Sequence, residues 1–143
     1  MSTELAFDRM PHSGKMLLLD QVLSVNDTSI RCRAKLHTTL DYPLRVNGRI
    51  GALALVELGA QAAAAHASLH GIGNAHAGLL LSLRNVGIAQ QDIEAITTPL
   101  HIAANRLHAD ESGARYRFEI KEDELSTAEV LSGEAMLSMR AVR

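Results

Sequence analysis

Two polar side chains interrupt an otherwise apolar run and are the first candidates for chemistry. Glu57 and Gln61 lie four residues apart among leucines, valines and alanines, so a helix places both on one face. Burial disfavours an ionised carboxylate, so we expect the core or a subunit seam to raise the pKa of Glu57. Glu57 would then hold or deliver a proton near neutral pH, with the Gln61 amide orienting it. The alternative is that Glu57 only satisfies a buried backbone group or an arginine across an interface.

The start of the same helix offers a second chemical feature. Residues 47–52 (NGRIGA) lead directly into it, so the backbone N–H groups of about Ala52 and Leu53 precede the first helical hydrogen bond at the positive end of the helix dipole. Such donors can hold an acyl carbonyl oxygen that gains negative charge, as in an oxyanion hole. Every helix start has such donors, so the surrounding residues must decide whether they function.

Other patterns with chemical potential are weak. His66 and His70 share a helix face at i and i+4, as in one half of a zinc site. No HExxH motif, cysteine pair or acidic partner at ligand spacing completes such a site, so we expect neither a metal nor another cofactor. Cys32 alternates into the inward face of a strand and is interpreted as a core residue.

Composition and charge limit the function classes. The chain has 143 residues, 47% of them hydrophobic, and its 14 Lys plus Arg against 16 Asp plus Glu give a net charge of -2. These values fit one domain over residues 1–143 and provide no general attraction to nucleic acid or anionic lipid. The single cysteine closes no internal disulfide and the charged N-terminus lacks the apolar core of a signal peptide, so we expect a cytoplasmic protein. The apolar stretch at residues 50–69 is broken by polar residues and falls short of a membrane span.

The pattern around these residues predicts an α+β fold. A helix that is apolar nearly all round needs burial on most sides, so we expect a curved antiparallel sheet wrapped around it. A dimer would cover the sheet edge and helix flank that remain. The predicted elements are strands at residues 16–25 and 29–37 that turn at Asn26-Asp27, a polar connector at 38–49, the helix at about 52–70, and strands at 78–86, 98–110, 114–121 and 127–140.

Three motifs resemble one known family in matching order. Residues 10–22 (MPHSGKMLLLDQV) are similar to the N-terminal signature of the hotdog-fold 3-hydroxyacyl-acyl-carrier-protein dehydratases, residues 56–61 (VELGAQ) to their central-helix motif IEAMAQ, and residues 78–86 (GLLLSLRNV) to their FLAGIRNV strand. Residues 47–52 are similar to a branch that includes dehydratase-like proteins associated with aryl polyene pigment synthesis. The resemblance spans nearly the whole chain and implies a hotdog fold, in which a curved antiparallel sheet wraps around one long central helix.

The resemblance also implies a site shared by two subunits. In the family, a histidine from one subunit and a helix carboxylate from the other lie on either side of the substrate. Glu57 matches the carboxylate and Ala52 the donor position, but the family's histidine, fourteen positions before the acid, falls on Pro43. His37 would replace it if the connector folds back. Otherwise a heterodimer with a histidine-bearing hotdog protein would need only Glu57 from this chain.

Three functions stay open on these grounds. The first is dehydration of 3-hydroxyacyl thioesters of acyl carrier protein or coenzyme A, in a homodimer or heterodimer. Glu57 would protonate the departing hydroxyl, Gln61 would orient Glu57, and the Ala52 and Leu53 amides would hold the thioester oxygen. The second is thioester hydrolysis with Glu57 as a base toward water, because hotdog thioesterases also use a helix carboxylate. The third is a catalytically silent acyl-binding or partner subunit.

Overall fold

The computed structural model describes residues 17–37, 41–70, 78–123, 125 and 128–140. Residues 10–16 of the N-terminal motif and residues 38–40 of the connector lie outside the described residues. The strands are β1 (Gln21–Val25), β2 (Ser29–Ala34), β3 (Arg45–Val46), β4 (Arg49–Ile50), β5 (Gly78–Ile88), β6 (Leu100–Asp110), β7 (Gly113–Lys121) and β8 (Glu129–Arg140). The helical elements are a 3-10 turn (Ala52–Leu55) and the helix α1 (Val56–Leu69).

Strands β1 and β2 form the predicted hairpin at one edge of the sheet. Asn26 makes the turn because its Oδ1 accepts hydrogen bonds from the backbone N–H groups of Thr28 at 3.0 Å and Ser29 at 2.9 Å. β1 begins later and β2 ends earlier than predicted. Beyond the end of β2, Asp20 Oδ2 accepts the Lys35 N–H at 2.6 Å, so a side chain takes the place of strand pairing there.

Six strands form one antiparallel sheet in the order β1-β2-β6-β7-β8-β5. Alternate residues of β7 face the helix, so Tyr116, Phe118 and Ile120 are fully buried. The same alternation buries Ile30 and Cys32 in β2, as predicted. Burial raises the pKa of the Cys32 thiol to about 12, as expected for a core cysteine. The packing of α1, the one α-helix among the described residues, against this sheet confirms the predicted α+β architecture.

Helix α1 is buried along most of its length, because its small residues let the sheet approach closely. A Cβ added at Gly59 would overlap the Phe118 ring. The first turn of the predicted helix is instead the 3-10 turn. Contrary to the sequence-based expectation, the segment Ala52–Leu69 has the length and mean hydropathy (1.2) of a membrane-crossing helix, but 67% of it is buried inside the protein. Such burial is usual for the core helix of a domain.

A short hairpin, β3 and β4, occupies the end of the segment expected to be a polar connector. Asn47 and Gly48 form its turn with φ values of 54° and 78°, the left-handed conformations that an Asn-Gly hairpin turn requires. Strands of two residues are too short to show alternation in the sequence, so only the turn signal was visible. The hairpin ends directly before the 3-10 turn and therefore positions the start of the helix.

Candidate active site

Glu57 lies in the first turn of α1 and is exposed to solvent in the single chain. The expectation that the core of this chain buries Glu57 is therefore wrong, because continuous burial begins only at the next residue, Leu58. Leu53, one turn earlier, is also 59% exposed. The sheet leaves this side of the helix start uncovered, so shielding of Glu57 would need a second chain.

Gln61, one turn after Glu57, is fully buried. Its Oε1 accepts a hydrogen bond from the Leu18 N–H at 2.8 Å. The amide therefore anchors the segment before β1 to the middle of α1, a structural role that the sequence did not indicate. An orienting role of Gln61 toward Glu57 stays a prediction.

The helix start is open on one side. The Ala54 N–H donates to the Gly51 carbonyl oxygen at 3.1 Å, so the N–H groups of Ala52 and Leu53 precede the first helical hydrogen bond. Ala52 is buried, whereas a Cβ added at Gly51 would meet no atom within 4 Å. The backbone at this point is thus accessible, and the use of these donors for a ligand oxygen stays a prediction.

A carboxylate that sequence reasoning missed holds β4, the strand that leads into the helix start. Glu94, in the loop between β5 and β6, accepts the Ile50 N–H at 2.7 Å and pairs with Arg45 at 3.2 Å. The Ile50 hydrogen bond is the main reason that the pKa of Glu94 lies below its ordinary value, and the Arg45 charge lowers it further. Glu94 and Arg45 are 49 residues apart, so no local pattern connects them.

Arg45 also holds the connector. Its guanidinium donates to the His37 carbonyl oxygen, from Nη2 at 2.8 Å and from Nε at 3.2 Å, and to the Gly48 carbonyl oxygen at 3.0 Å. The Arg45 side chain is only 8% exposed. One nearly buried cation therefore ties together the residues after β2, the β3–β4 hairpin and the loop between β5 and β6.

His37 and Pro43 line the same cavity of about 200 Å³, which Glu57 does not line. The His37 side chain is exposed, and its ring centroid lies 5.3 Å from that of Tyr42. A catalytic role of His37 stays a prediction.

Tyr42 is a residue of this region that the sequence did not single out. It is 7% exposed, and its buried hydroxyl has no hydrogen-bond partner among the described residues. Burial, chiefly, and the negative charge of Asp20 raise the pKa of Tyr42 to about 12, against a lowering by Arg45. The phenol is therefore protonated at ordinary pH. The only sign of this residue in the sequence is that Tyr42, one of the two tyrosines of the chain, stands in a polar connector.

The two helix histidines belong to a structural cluster. His66 is fully buried, with Nε2 2.9 Å from the Asn26 carbonyl oxygen and Nδ1 2.5 Å from the Tyr116 hydroxyl. Because a carbonyl only accepts, Nε2 donates to Asn26 and Nδ1 accepts from Tyr116. His70 stacks on His66 with 4.1 Å between ring centroids. Both His66 nitrogens are thus engaged, and within the described ranges no three His, Cys, Asp or Glu side chains gather as metal ligands.

The fold resembles several solved structures at low sequence identity. A chain of the dehydratase heterocomplex ApeI:P from Xenorhabdus doucetiae matches with a TM-score of 0.72 and 22% identity, over 94% of this chain and 90% of that chain. The hypothetical thioesterase protein with coenzyme A from Streptococcus pneumoniae matches with a TM-score of 0.62 and 11% identity, over 86% of this chain and 87% of that chain. A conserved protein from Pseudomonas aeruginosa matches with a TM-score of 0.63 and 17% identity, over 92% and 97%. These likenesses confirm the hotdog fold.

Sequence comparison gives the family. None of the curated protein sequences matches the chain. The family model that does match is ApeP-like, described as ApeP dehydratase, over residues 6–136. This match confirms the resemblance based on the motifs at residues 10–22, 56–61 and 78–86. The chain therefore belongs to the ApeP-like dehydratase family.

Proposed function

We propose that this chain is a subunit of a hotdog-fold dehydratase that converts 3-hydroxyacyl thioesters to trans-2-enoyl thioesters. One observation carries the proposal: in a member of this family, Glu57 lies on the exposed side of the first turn of α1, beside the open helix start. The acyl chain would be carried by acyl carrier protein or coenzyme A.

Dehydration needs a base at C2, an acid at the 3-hydroxyl and donors for the thioester oxygen. Removal of the C2 proton moves electrons onto the thioester carbonyl, whose oxygen would accept hydrogen bonds from the Ala52 and Leu53 N–H groups. The C3–O bond then breaks as the C2–C3 double bond forms. Glu57 protonates the departing hydroxyl, which leaves as water. Gln61, held rigidly in the core, would orient Glu57.

The base is the group that this chain lacks at the expected position, where Pro43 stands. A hotdog partner that supplies an imidazole would complete the site, in agreement with the ApeI:P relative, which was solved as a heterocomplex. The exposed Glu57 and Leu53 leave a surface for such a partner. A partner there would also exclude water from the site. His37, on the same cavity as Pro43, is the alternative base within this chain.

The proline also favours a second candidate function, a catalytically silent subunit that binds the acyl chain or supports an active partner. In that case Glu57 transfers no proton. Thioester hydrolysis, with Glu57 activating water, differs from both functions in its product, a free thiol.

The test uses the full-length chain, alone and mixed with an ApeI-type hotdog partner. The substrates are a 3-hydroxyacyl-acyl carrier protein and its coenzyme A counterpart, with enoyl thioester and free thiol measured in parallel. We expect the mixture to form enoyl thioester and Glu57→Gln to lower the rate by about 10²-fold or more. Glu111→Gln is the matched control, because it removes an exposed carboxylate in the turn between β6 and β7 and should leave the rate unchanged.

The other outcomes assign the other functions. An unchanged rate with Glu57→Gln in the mixture removes Glu57 from the mechanism and supports the silent subunit. Full activity of the chain alone makes a partner unnecessary and assigns the base to His37 if His37→Gln then abolishes activity. Thiol release without enoyl product assigns hydrolysis.

A further inference from the structure

Packing holds the segment between β4 and α1 on one side only. Ala52 and Leu55 of the 3-10 turn are buried, whereas Leu53 is exposed and a Cβ added at Gly51 would meet no atom within 4 Å. Backbone donors stabilise a developing charge well only when they are already directed at it. Hydrogen bonds from outside the segment must therefore fix the direction of its N–H groups.

Two hydrogen bonds enclose the first of these donors. The Ile50 N–H, at the end of β4, donates to Glu94 Oε1 at 2.7 Å. On the other side, the Gly51 carbonyl oxygen accepts the Ala54 N–H at 3.1 Å. A trans peptide unit carries its C=O and N–H in opposite directions, so the bond to Gly51 also directs the Ala52 N–H. Glu94 thus holds the residue directly before that peptide unit.

Glu94 is itself held firmly by the rest of the protein. It lies in a turn in which the Ile96 N–H donates to the Ile93 carbonyl oxygen at 3.0 Å, and both isoleucines are buried. Nη1 of the nearly buried Arg45 donates to Glu94 Oε1 at 3.2 Å and Oε2 at 3.4 Å. The carboxylate that binds the Ile50 N–H is therefore fixed through its backbone and through its charge.

The hairpin β3–β4 has other bonds that hold it together. Arg45 also donates to the His37 carbonyl oxygen at 2.8 Å and to the Gly48 carbonyl oxygen at 3.0 Å. The bond from Ile50 to Glu94 differs from these, because it lies at the end of the hairpin that leads into the helix. This bond is therefore the contact through which Glu94 acts on the helix start.

We propose that Glu94 is a positioning residue for dehydration, and that its bond to Ile50 sets the direction of the N–H groups at the helix start. The reaction rests on the proposed function, whereas the bonds that fix this segment do not. Glu94 touches no substrate and transfers no proton in this role. It acts through the Ala52 and Leu53 N–H groups, on the negative charge that the thioester oxygen gains in the transition state.

Two variants of Glu94 separate its hydrogen bond from its charge. Glu94→Gln removes the charge and keeps an oxygen that can accept from the Ile50 N–H. Glu94→Asp keeps the charge beside Arg45 but withdraws the acceptor from Ile50, because its side chain is one methylene shorter. A positioning role predicts that Gln replaces Glu94 better than Asp does. A purely electrostatic role in an ion pair predicts the opposite order.

The kinetic experiment uses the full-length chain mixed with the ApeI-type partner, with a 3-hydroxyacyl-acyl carrier protein as substrate. We expect Glu94→Asp to lower kcat about tenfold with KM changed less than about twofold, because the displaced donors stabilise mainly the transition state. Glu94→Gln should keep kcat within about twofold of the unsubstituted chain. A higher kcat for Asp than for Gln, or a rise in KM with kcat unchanged, would overturn the proposal.

Asp110→Ala is the control for loss of stability. Asp110 Oδ1 accepts the backbone N–H groups of Ser112 at 2.8 Å and Gly113 at 3.2 Å in the turn between β6 and β7. The variant thus removes bonds of the same kind away from the helix start, and it should lower Tm without changing kcat. If it lowers kcat as much as Glu94→Asp does, the effect of Glu94 is one of general stability and the proposal fails.

A measurement without substrate separates this proposal from the proposed function. ¹⁵N relaxation of the chain alone should show the Ala52 and Leu53 amides falling from an order parameter of about 0.85 toward about 0.6 in Glu94→Asp, but not in Glu94→Gln. Unchanged order parameters and amide chemical shifts in Glu94→Asp would overturn the positioning role. If these amides change but the unsubstituted mixture forms no enoyl thioester, only the proposed function fails. If the mixture is active and Glu94→Asp leaves kcat unchanged, only the positioning role fails.

Discussion

The described residues include two histidine–tyrosine pairs with similar ring separations and different hydrogen bonding. The ring centroids lie 5.4 Å apart for His66 and Tyr116 and 5.3 Å apart for His37 and Tyr42. In the first pair, which we call the closed pair, both His66 nitrogens and the Tyr116 hydroxyl have partners. In the second, the open pair, the His37 side chain is exposed and the Tyr42 hydroxyl has no partner in the described chain.

This difference separates a fully hydrogen-bonded structural pair from a pair whose buried hydroxyl has no partner among the described residues. A buried polar pair with every bond made contributes to stability and has no capacity left for a ligand. A buried hydroxyl without a hydrogen-bond partner contributes no such stabilisation. The helix shows the same contrast, because Gly59 lies against the sheet whereas the space beside Gly51 is open.

The largest expected effect comes from the helix glycines. Gly59→Ala would force a methyl group into the Phe118 ring, and we expect a loss of roughly 3 kcal/mol in unfolding free energy or failure to fold. Gly51→Ala is the matched control, because its Cβ meets no atom and its backbone is extended, so a change within about 0.5 kcal/mol is expected. Urea unfolding followed by circular dichroism measures both. Equal stability of the two variants would contradict the contrast between the packed and open parts of the helix.

The sheet and the helix could be predicted because their signals are local. The alternation of apolar and polar residues in β2 and β7 indicates which side chains face the core. The alanine-rich run indicates a helix that packs closely against its neighbours. The exposure of Glu57 could not be predicted in this way, because an apolar helix shows which positions need cover but not which chain provides it. The sequence therefore located the acid correctly on the helix and left two settings open, of which the core of this chain is wrong and a subunit seam stays a prediction.

The open pair was beyond sequence reasoning because it depends on contacts between distant segments. Tyr42 is buried, and nearby Arg45 is bonded to Glu94, 49 residues away in the sequence. The bond between Gln61 and Leu18 joins residues 43 apart. A resemblance to a family indicated His37 and Pro43, but only coordinates show that they line one cavity with Tyr42.

The closed pair should make stability depend on pH. Burial, chiefly, lowers the pKa of His66 from 6.5 to about 4, with smaller lowering by the charges of His70 and Arg106 and opposition from the Asn26 carbonyl. Below pH 6.5 the unfolded chain therefore binds a proton at His66 that the folded chain does not bind. The contribution of His66 to the unfolding free energy is fully present above pH 6.5 and is lost as the pH falls toward 4. Between pH 6.5 and 4.5 we expect a loss on the order of 2 kcal/mol.

Urea unfolding at several pH values measures this dependence, and NMR titration of the His66 ring measures its pKa directly. His66→Gln is the control, because it keeps an amide donor and removes the titrating ring. Carboxylates with lowered pKa values, such as Glu94, add their own losses mainly below this window. A His66 ring that titrates at its ordinary pKa would show that the closed pair admits water.

The open side of the helix start is where we expect the smallest change in the stability of the protomer. The same side is where we expect a change in the association of two chains. Leu53→Gln changes a side chain that is 59% exposed in the single chain, so the unfolding free energy of the protomer should change by no more than about 0.5 kcal/mol. If a second chain covers Glu57, Leu53→Gln should weaken the association of the two chains about tenfold, because it removes apolar surface from the interface between them. Leu107→Gln, in β6 and 48% exposed, is the matched control and should leave association unchanged.

Sedimentation equilibrium of the chain alone and of its mixture with a hotdog partner measures this effect. Association that Leu53→Gln weakens and Leu107→Gln does not would place the partner over the helix start, where Glu57 needs shielding. Equal association of both variants with the partner would show that the interface does not cover Leu53, and the helix start beside Glu57 would then stay open to solvent. The exposed leucine therefore tests the condition on which Glu57 as a proton donor depends, without altering the acid itself.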